Sequence, residues 1–210
     1  LGAVCIAHAA DDNGATYGSG KHRFTLATGS PGELGLLKVL GEAFAQRADA
    51  QMVWVKAGTG QSLNLLQDKK VDMVMVHAPA QVDKAVKDGW ATHKTLIGSN
   101  EFYIVGPKND PARIASAKTA VEAYQKISAT TSPFVSRGDN SGTHQKEMQV
   151  WKAAGITPQG AWYIVTKNFM TASLKRANAT GAYFMSDSST WIMESHVAPD
   201  LGILFRGDRF

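Results

Sequence analysis

Apolar positions along this chain come in short bursts separated by small or polar residues, and the spacing inside the bursts alternates between strand-like and helix-like. Residues 23–28 read as a strand. Residues 33–48 read as a helix with Leu37, Leu40 and Phe44 on one face. Residues 51–56 (Met52, Val53, Val55) form the next strand, followed by Gly58-Thr59-Gly60 and a short helix over 61–68. Residues 71–76 are a continuous apolar strand ending at His77-Ala78-Pro79, and 81–88 return to helix. This β-α-β-α-β-α order predicts a parallel sheet covered on both faces.

A second set follows. Strands are expected at 102–105, 134–135, 162–165, 182–185 and 201–205, with helices over 116–128, 143–154, 170–177 and 189–194. The chain therefore reads as α/β, with two lobes, each a mostly parallel sheet flanked by helices, and a boundary near 106–110. The expected segments are 1–10 (signal-peptide remnant), 11–22 (flexible leader), 23–106 (first lobe), 107–200 (second lobe) and 201–210 (return toward the first lobe). Ligands of open α/β sheets sit beyond the carboxyl ends of strands. Thr28-Gly29-Ser30, Gly58-Thr59-Gly60, His77-Ala78-Pro79 and 136–143 all occupy such ends, which predicts a ligand in the cleft between the lobes.

Composition narrows the function. The 210 residues are 44% hydrophobic and 19% charged, the balance of a globular protein rather than a disordered one. The net charge of +4 comes without a Lys/Arg stripe, so no nucleic-acid partner is expected; the slight positive bias favours anions. A single cysteine, Cys5, excludes an internal disulfide framework and a cysteine-built metal site. Six scattered histidines argue against a histidine-built metal site. The apolar start, with Ala7-His8-Ala9 before Asp11-Asp12, reads as the end of a secretory signal, hence export. A lipid anchor through Cys5 is disfavoured by the bulky Val4 before it. Beyond that start, no run reaches the ~18–20 apolar residues of a membrane span.

The chemistry concentrates in Ser136-Arg137-Gly138-Asp139-Asn140-Ser141-Gly142-Thr143. A strand ends at Ser136, turn formers follow, and Ser141 or Thr143 is placed to cap a helix. Such a loop offers free backbone N–H groups at the positive end of a helix. Arg137 adds a planar cation that forks onto two oxygens, Ser141 and Thr143 add hydroxyls, and Asp139 is spaced to hold the guanidinium. The result is a concavity suited to an anion. A Ser-His-Asp hydrolase built from Ser141, His144 and Asp139 is disfavoured because neighbours in sequence rarely form a triad and no nucleophile elbow surrounds Ser141. The Arg137-Gly138-Asp139 tripeptide, repeated at Arg206-Gly207-Asp208, has little weight as an adhesion motif.

The pattern Ser-Arg-x-Asp-x-Ser-Gly-Thr resembles the oxyanion loop of substrate-binding proteins of bacterial ABC importers, most of all the tungstate-binding proteins. Further matching stretches are Gly58-Thr59-Gly60-Gln61, Val76-His77-Ala78-Pro79, Ile104-Val105-Gly106-Pro107, Trp151-Lys152-Ala153-Ala154-Gly155 and Gly181-Ala182-Tyr183. The resemblance implies a type II periplasmic-binding-protein fold and a monomeric, periplasmic protein that delivers its ligand to a membrane permease, with no cofactor and no metal other than that of the oxyanion itself. It implies ligand contacts from Thr28, Ser30, Thr59, His77, Arg137, Ser141, Gly142 and Thr143, supported by Asp139. The first loop, Thr28-Gly29-Ser30, is shorter than the family's, and the family continues past this chain's end, which suggests a truncated sequence. Where phosphate-binding relatives carry an aspartate that accepts the proton of hydrogen phosphate, this chain has His77. That exchange favours an unprotonated dianion, tungstate or molybdate, with sulfate next and phosphate last. A soluble oxyanion sensor is the alternative outside transport.

Overall fold

The computed structural model describes residues 14–208, and the expected signal segment and Cys5 lie outside them. The chain divides into two units, one comprising residues up to Ala57 with Gln61–Val76, the other Gly58–Gly60 with residues from His77 onward. The division therefore falls at Val76/His77 and not near 106–110.

In the first unit, strands β1 (Gly14–Tyr17), β2 (His22–Thr28), β3 (Ala50–Lys56) and β4 (Met73–Val74) form a sheet in the order β1-β3-β2-β4. β3 and β4 run parallel to β2, while β1 is antiparallel to β3. Gly14–Tyr17, expected within a flexible leader, is thus an edge strand, paired from Gly14↔Val55 to Tyr17↔Met52. The apolar run at 71–76 yields only two strand residues. Leu26, Met52 and Trp54 pack with Leu37 on one face of this sheet, and Ala27, Ala57 and Val71 on the other. The expected helix over 33–48 divides into α1 (Ser30–Glu33) and α2 (Leu36–Ala48), broken at Gly35, whose φ of 85° no ordinary helical residue adopts. α2 buries Leu37 and Gly41. Leu40 and Phe44, expected on the buried face, are exposed, because small Gly41 lets β3 and β1 approach the helix one position away.

The chain continues through α3 (Thr59–Gln67), whose first residues are grouped with the second unit, and α4 (Pro79–Lys87). In the second unit, β5 (Phe102–Pro107), β6 (Phe134–Ser136), β7 (Tyr163–Val165), β8 (Tyr183–Asp187) and β9 (Leu201–Phe205) form a sheet ordered β7-β6-β8-β5-β9. β6, β7 and β8 are mutually parallel, whereas β5 runs antiparallel to both β8 and β9. Both sheets are therefore mixed: β1 alone opposes the other strands of the first, and β5 alone opposes the other four of the second, so the parallel direction predominates in each as expected. β9, expected to return toward the first lobe, is an edge strand of this second sheet, with Leu201 beside Pro107 and Phe205 beside Ile104. Helices α5 (Ala120–Ala129), α6 (Gly142–Ala153), α7 (Met170–Thr180) and α8 (Ser188–Glu194) complete the unit.

Consecutive strand residues in this sheet face opposite cores, as the two-residue repeat of a strand requires. Ile104, Phe134 and Tyr183 pack with Tyr124, Ile127, Val150 and Trp151 on one side. Val105, Val135 and Phe184 pack with Met170, Leu174 and Leu201 on the other. Both faces are apolar because both are covered. Phe134 centres an aromatic cluster, edge-on to Tyr124 (5.2 Å) and Trp151 (5.2 Å) and stacked with Tyr163 (6.1 Å). Tyr183 spans the far side, its hydroxyl donating to Asp110 Oδ1 (2.8 Å) and accepting from Ala112 N (2.9 Å).

Removing the Phe134 ring leaves a cavity that the surrounding rings cannot close. Phe134→Ala is expected to lower unfolding stability by about 3–5 kcal/mol, read from the shift of the urea midpoint at unchanged slope.

Candidate functional site

The segment 136–143 joins β6 to α6 in the second unit. Two backbone bonds extend the β6 ladder into it, Thr166 N donating to Ser136 O (2.9 Å) and Lys167 N to Arg137 O (2.8 Å). The chain then turns through Gly138 (φ 62°) and Asn140 (φ 58°). Both positions need the left-handed region, which glycine enters freely and asparagine more readily than most residues. A Cβ at Gly138 would also lie 2.3 Å from Val165 Cγ1.

Arg137 is 3% exposed. Its Nε donates to the backbone oxygen of Asn168 (3.1 Å) and its Nη2 to Asp139 Oδ2, an ion pair. The Phe169 ring centre lies 5.5 Å from Cζ, within cation–π range. Nη1 makes no hydrogen bond among the described residues. The other oxygen of Asp139 accepts from Ser141 N (3.1 Å), so one carboxylate fixes both the cation and the end of the loop.

Ser141 is the N-cap of α6, its Oγ accepting from His144 N (3.3 Å), and the helix starts at Gly142 instead of the expected Thr143. The Ser141 hydroxyl proton remains available. Gly142 N donates to Thr59 Oγ1 (3.2 Å). Between these two satisfied groups, the N–H of buried Thr143 meets no protein acceptor among the described residues. Asn140 N donates to His144 Nδ1 (3.0 Å), and burial holds the His144 imidazole below its usual range, in keeping with a neutral ring that accepts.

Of the residues singled out from the sequence, Thr59, His77, Arg137, Asp139, Ser141, Gly142 and Thr143 all lie in the second unit. Thr59 and Gly142 are hydrogen-bonded to each other, and exposed His77 backs onto Gly142: a Cβ there would sit 2.7 Å from His77 Cβ and 3.0 Å from its backbone oxygen. Thr28 and Ser30 belong to the first unit. Thr28 is buried at the end of β2 and gives its hydroxyl proton to Met75 O (2.7 Å), while half-buried Ser30 opens α1. Sequence reasoning missed Asn168 and Phe169, which hold the guanidinium from the β7–α7 connection. It also missed Glu147, buried on α6 and discussed below.

Among the described residues no group of three or more His, Cys, Asp or Glu side chains is arranged to hold a metal ion, and no helix is long and apolar enough to cross a membrane. The site is thus a set of N–H and O–H donors around one buried cation, an arrangement suited to recognising an oxyanion.

The family model of the PBP superfamily domain matches residues 13–204. A putative ABC transporter anion-binding protein of Haloferax volcanii is 35% identical over 85% of this chain and 53% of its own length. The tungstate-binding protein TupA of Peptoclostridium acidaminophilum is 35% identical over 84% of this chain and 61% of its own. The chain thus spans roughly half to three-fifths of these curated relatives. The crystal structure of the tungstate ABC transporter from Geobacter sulfurreducens superposes with a TM-score of 0.79 at 40% identity, covering 90% of this chain and 82% of that one.

Because His77 abuts Gly142 through its backbone, an added methyl has no flexible neighbour to displace. Gly142→Ala is expected to cost about 1–3 kcal/mol of stability through overpacking, measured by denaturant unfolding.

Proposed function

Since the chain belongs to the PBP superfamily, and within it to the tungstate-binding proteins of ABC importers, we propose that it captures tungstate or molybdate outside the cytoplasm and delivers it to a membrane permease. The observation that carries this reading is Arg137, a guanidinium only 3% exposed, with one nitrogen uncommitted and the uncapped Thr143 N–H at the start of α6 nearby in sequence. No bond is made or broken. In this reading Arg137 forks onto two oxygens of the anion while Ser141 Oγ and the Thr143 N–H and hydroxyl donate to the others, each charge-assisted bond contributing about 1.5–3 kcal/mol. The helix N-terminus adds its positive end.

Thr59 orients the loop through Gly142, and Asp139 keeps the guanidinium planar to the ligand instead of letting it swing to solvent. His77 supports an unprotonated dianion, because an imidazole at this strand end can donate where a carboxylate would repel. The same chemistry ranks sulfate below the two metalates and hydrogen phosphate last. It has no use for a cofactor, and a monomer suffices for it.

Isothermal titration with tungstate, molybdate, sulfate and phosphate tests the ranking; phosphate binding as tightly as tungstate would overturn it. Arg137→Ala is expected to cost about 2–5 kcal/mol of binding, a loss of at least about 30-fold. Arg137→Lys should fall between, keeping the charge but losing the fork. Near-native affinity in Arg137→Ala would remove the loop from the site.

A further inference from the structure

Glu147 has no part in the donor set, yet it is 2% exposed on α6, five residues after Gly142. Its Oε1 accepts from Trp151 Nε1 on the same helix (3.1 Å) and from Tyr163 Oη on β7 (2.6 Å). Ser136, immediately before Arg137, stands beside it. The Ser136 hydroxyl is buried and meets no hydrogen-bond partner of good geometry, though its dipole still favours the ionised carboxylate.

The titratable groups that act on Glu147 are Asp139 from the loop, Tyr163 from β7 and Tyr124 from α5. None of the three supplies positive charge. Burial is the largest influence and pushes the carboxyl up to about 7, with the Asp139 charge adding to it and the bonds from Tyr163 and Trp151, together with the Ser136 dipole, opposing. Glu147 is therefore poised between neutral acid and anion near neutral pH. Arg137 and Asp139 together carry no net charge, so ionised Glu147 leaves this part of the unit at −1 just where a dianion is to be received. In a buried setting that repulsion is weakly screened.

We propose that Glu147 is a positioning residue that links oxyanion capture to proton uptake: its carboxyl, held by Tyr163 and Trp151 beside Ser136, is neutral when the anion is bound, and its ionisation weakens the loop's hold on the anion. The inference rests on the reading of 136–143 as the oxyanion site. Linkage makes it reciprocal, since a bound dianion must raise the cost of ionising Glu147 by as much as ionised Glu147 lowers affinity. The sign follows from a carboxyl shifted upward. Affinity is highest where the acid is neutral, below about pH 6, falls as the pH passes through the neighbourhood of 7, and levels off once the carboxylate has formed.

Titration calorimetry with tungstate from pH 6 to 8.5 is expected to show affinity falling by about 5- to 10-fold, with fractional proton uptake at pH 7 detected by repeating the titration in buffers of different ionisation enthalpy. Glu147→Gln should keep the tight, low-pH affinity throughout and take up almost no proton. Tyr163→Phe removes a bond that favours the carboxylate, so its affinity should begin to fall at higher pH than in the parent protein.

The indole N–H of Trp151 gives a readout independent of the ligand. In the unliganded protein its 1H–15N peak, assigned through Trp151→Phe, should titrate near neutrality, and Glu147→Gln should abolish that titration. A Glu147→Gln profile that parallels the parent's would assign the pH dependence to His77 or His144 and overturn the proposal. So would a Trp151 peak that does not titrate. Failure to bind any of the four oxyanions would sink the oxyanion reading, and this linkage with it, while the Trp151 titration would still report whether Glu147 ionises near neutrality.

Discussion

A guanidinium cannot be withdrawn from water without compensation, and most of the second unit's local structure around 136–143 answers that requirement for Arg137. The compensating carboxylate comes from only two residues away, so the intervening Gly138 has to turn back through the left-handed region. The same carboxylate takes the Ser141 N–H, which delivers Ser141 to the cap position of α6. The remaining direction of the guanidinium is fixed by the Asn168 carbonyl and the Phe169 ring, which reach it because β7 pairs in parallel with β6 and ends level with it. One buried charge thus dictates a strand pairing, a turn and a helix start.

Arg137 and Glu147 form an instructive contrast. Both are almost fully buried, and both are within a few residues of the same helix N-terminus. Arg137 has a carboxylate partner, a carbonyl and a ring face, and stays charged. Glu147 has neutral donors and a neighbouring negative charge, so its environment favours the uncharged acid to well above the ordinary carboxylate range. Depth is similar for the two, so the difference lies in the intrinsic basicity of a guanidinium and in the partners each group finds.

Much of this was readable from the chain. The alternation of strand and helix survives almost element by element, because apolar periodicity responds to local geometry. The loop was legible because Arg137, Asp139 and Ser141 act on one another within five residues. Strand direction was not: β5 and β9 carry the same apolar signal whether parallel or antiparallel, so the mixed sheets and the placement of 201–205 came only with the structure. Gly14–Tyr17 escaped notice because a four-residue edge strand beside polar residues has no periodicity to display. Leu40 and Phe44 misled, since helical spacing predicts a face but not that Gly41 would be the position pressed against the sheet. Glu147 drew no notice in the sequence; the one hint was Trp151 four residues on, one helical turn away and within bonding reach.

The position of β5 governs how this unit is assembled in time. It lies between β8 and β9, and its register joins Ile104 to Met185 on one side and Phe205 on the other. The first strand of this sheet to leave the ribosome is therefore the one whose partners are made last. Until then Tyr103, Ile104 and Val105, all buried in the finished sheet, stay unpaired. Such long-range closure slows folding and prolongs the exposure of an apolar strand with two open edges.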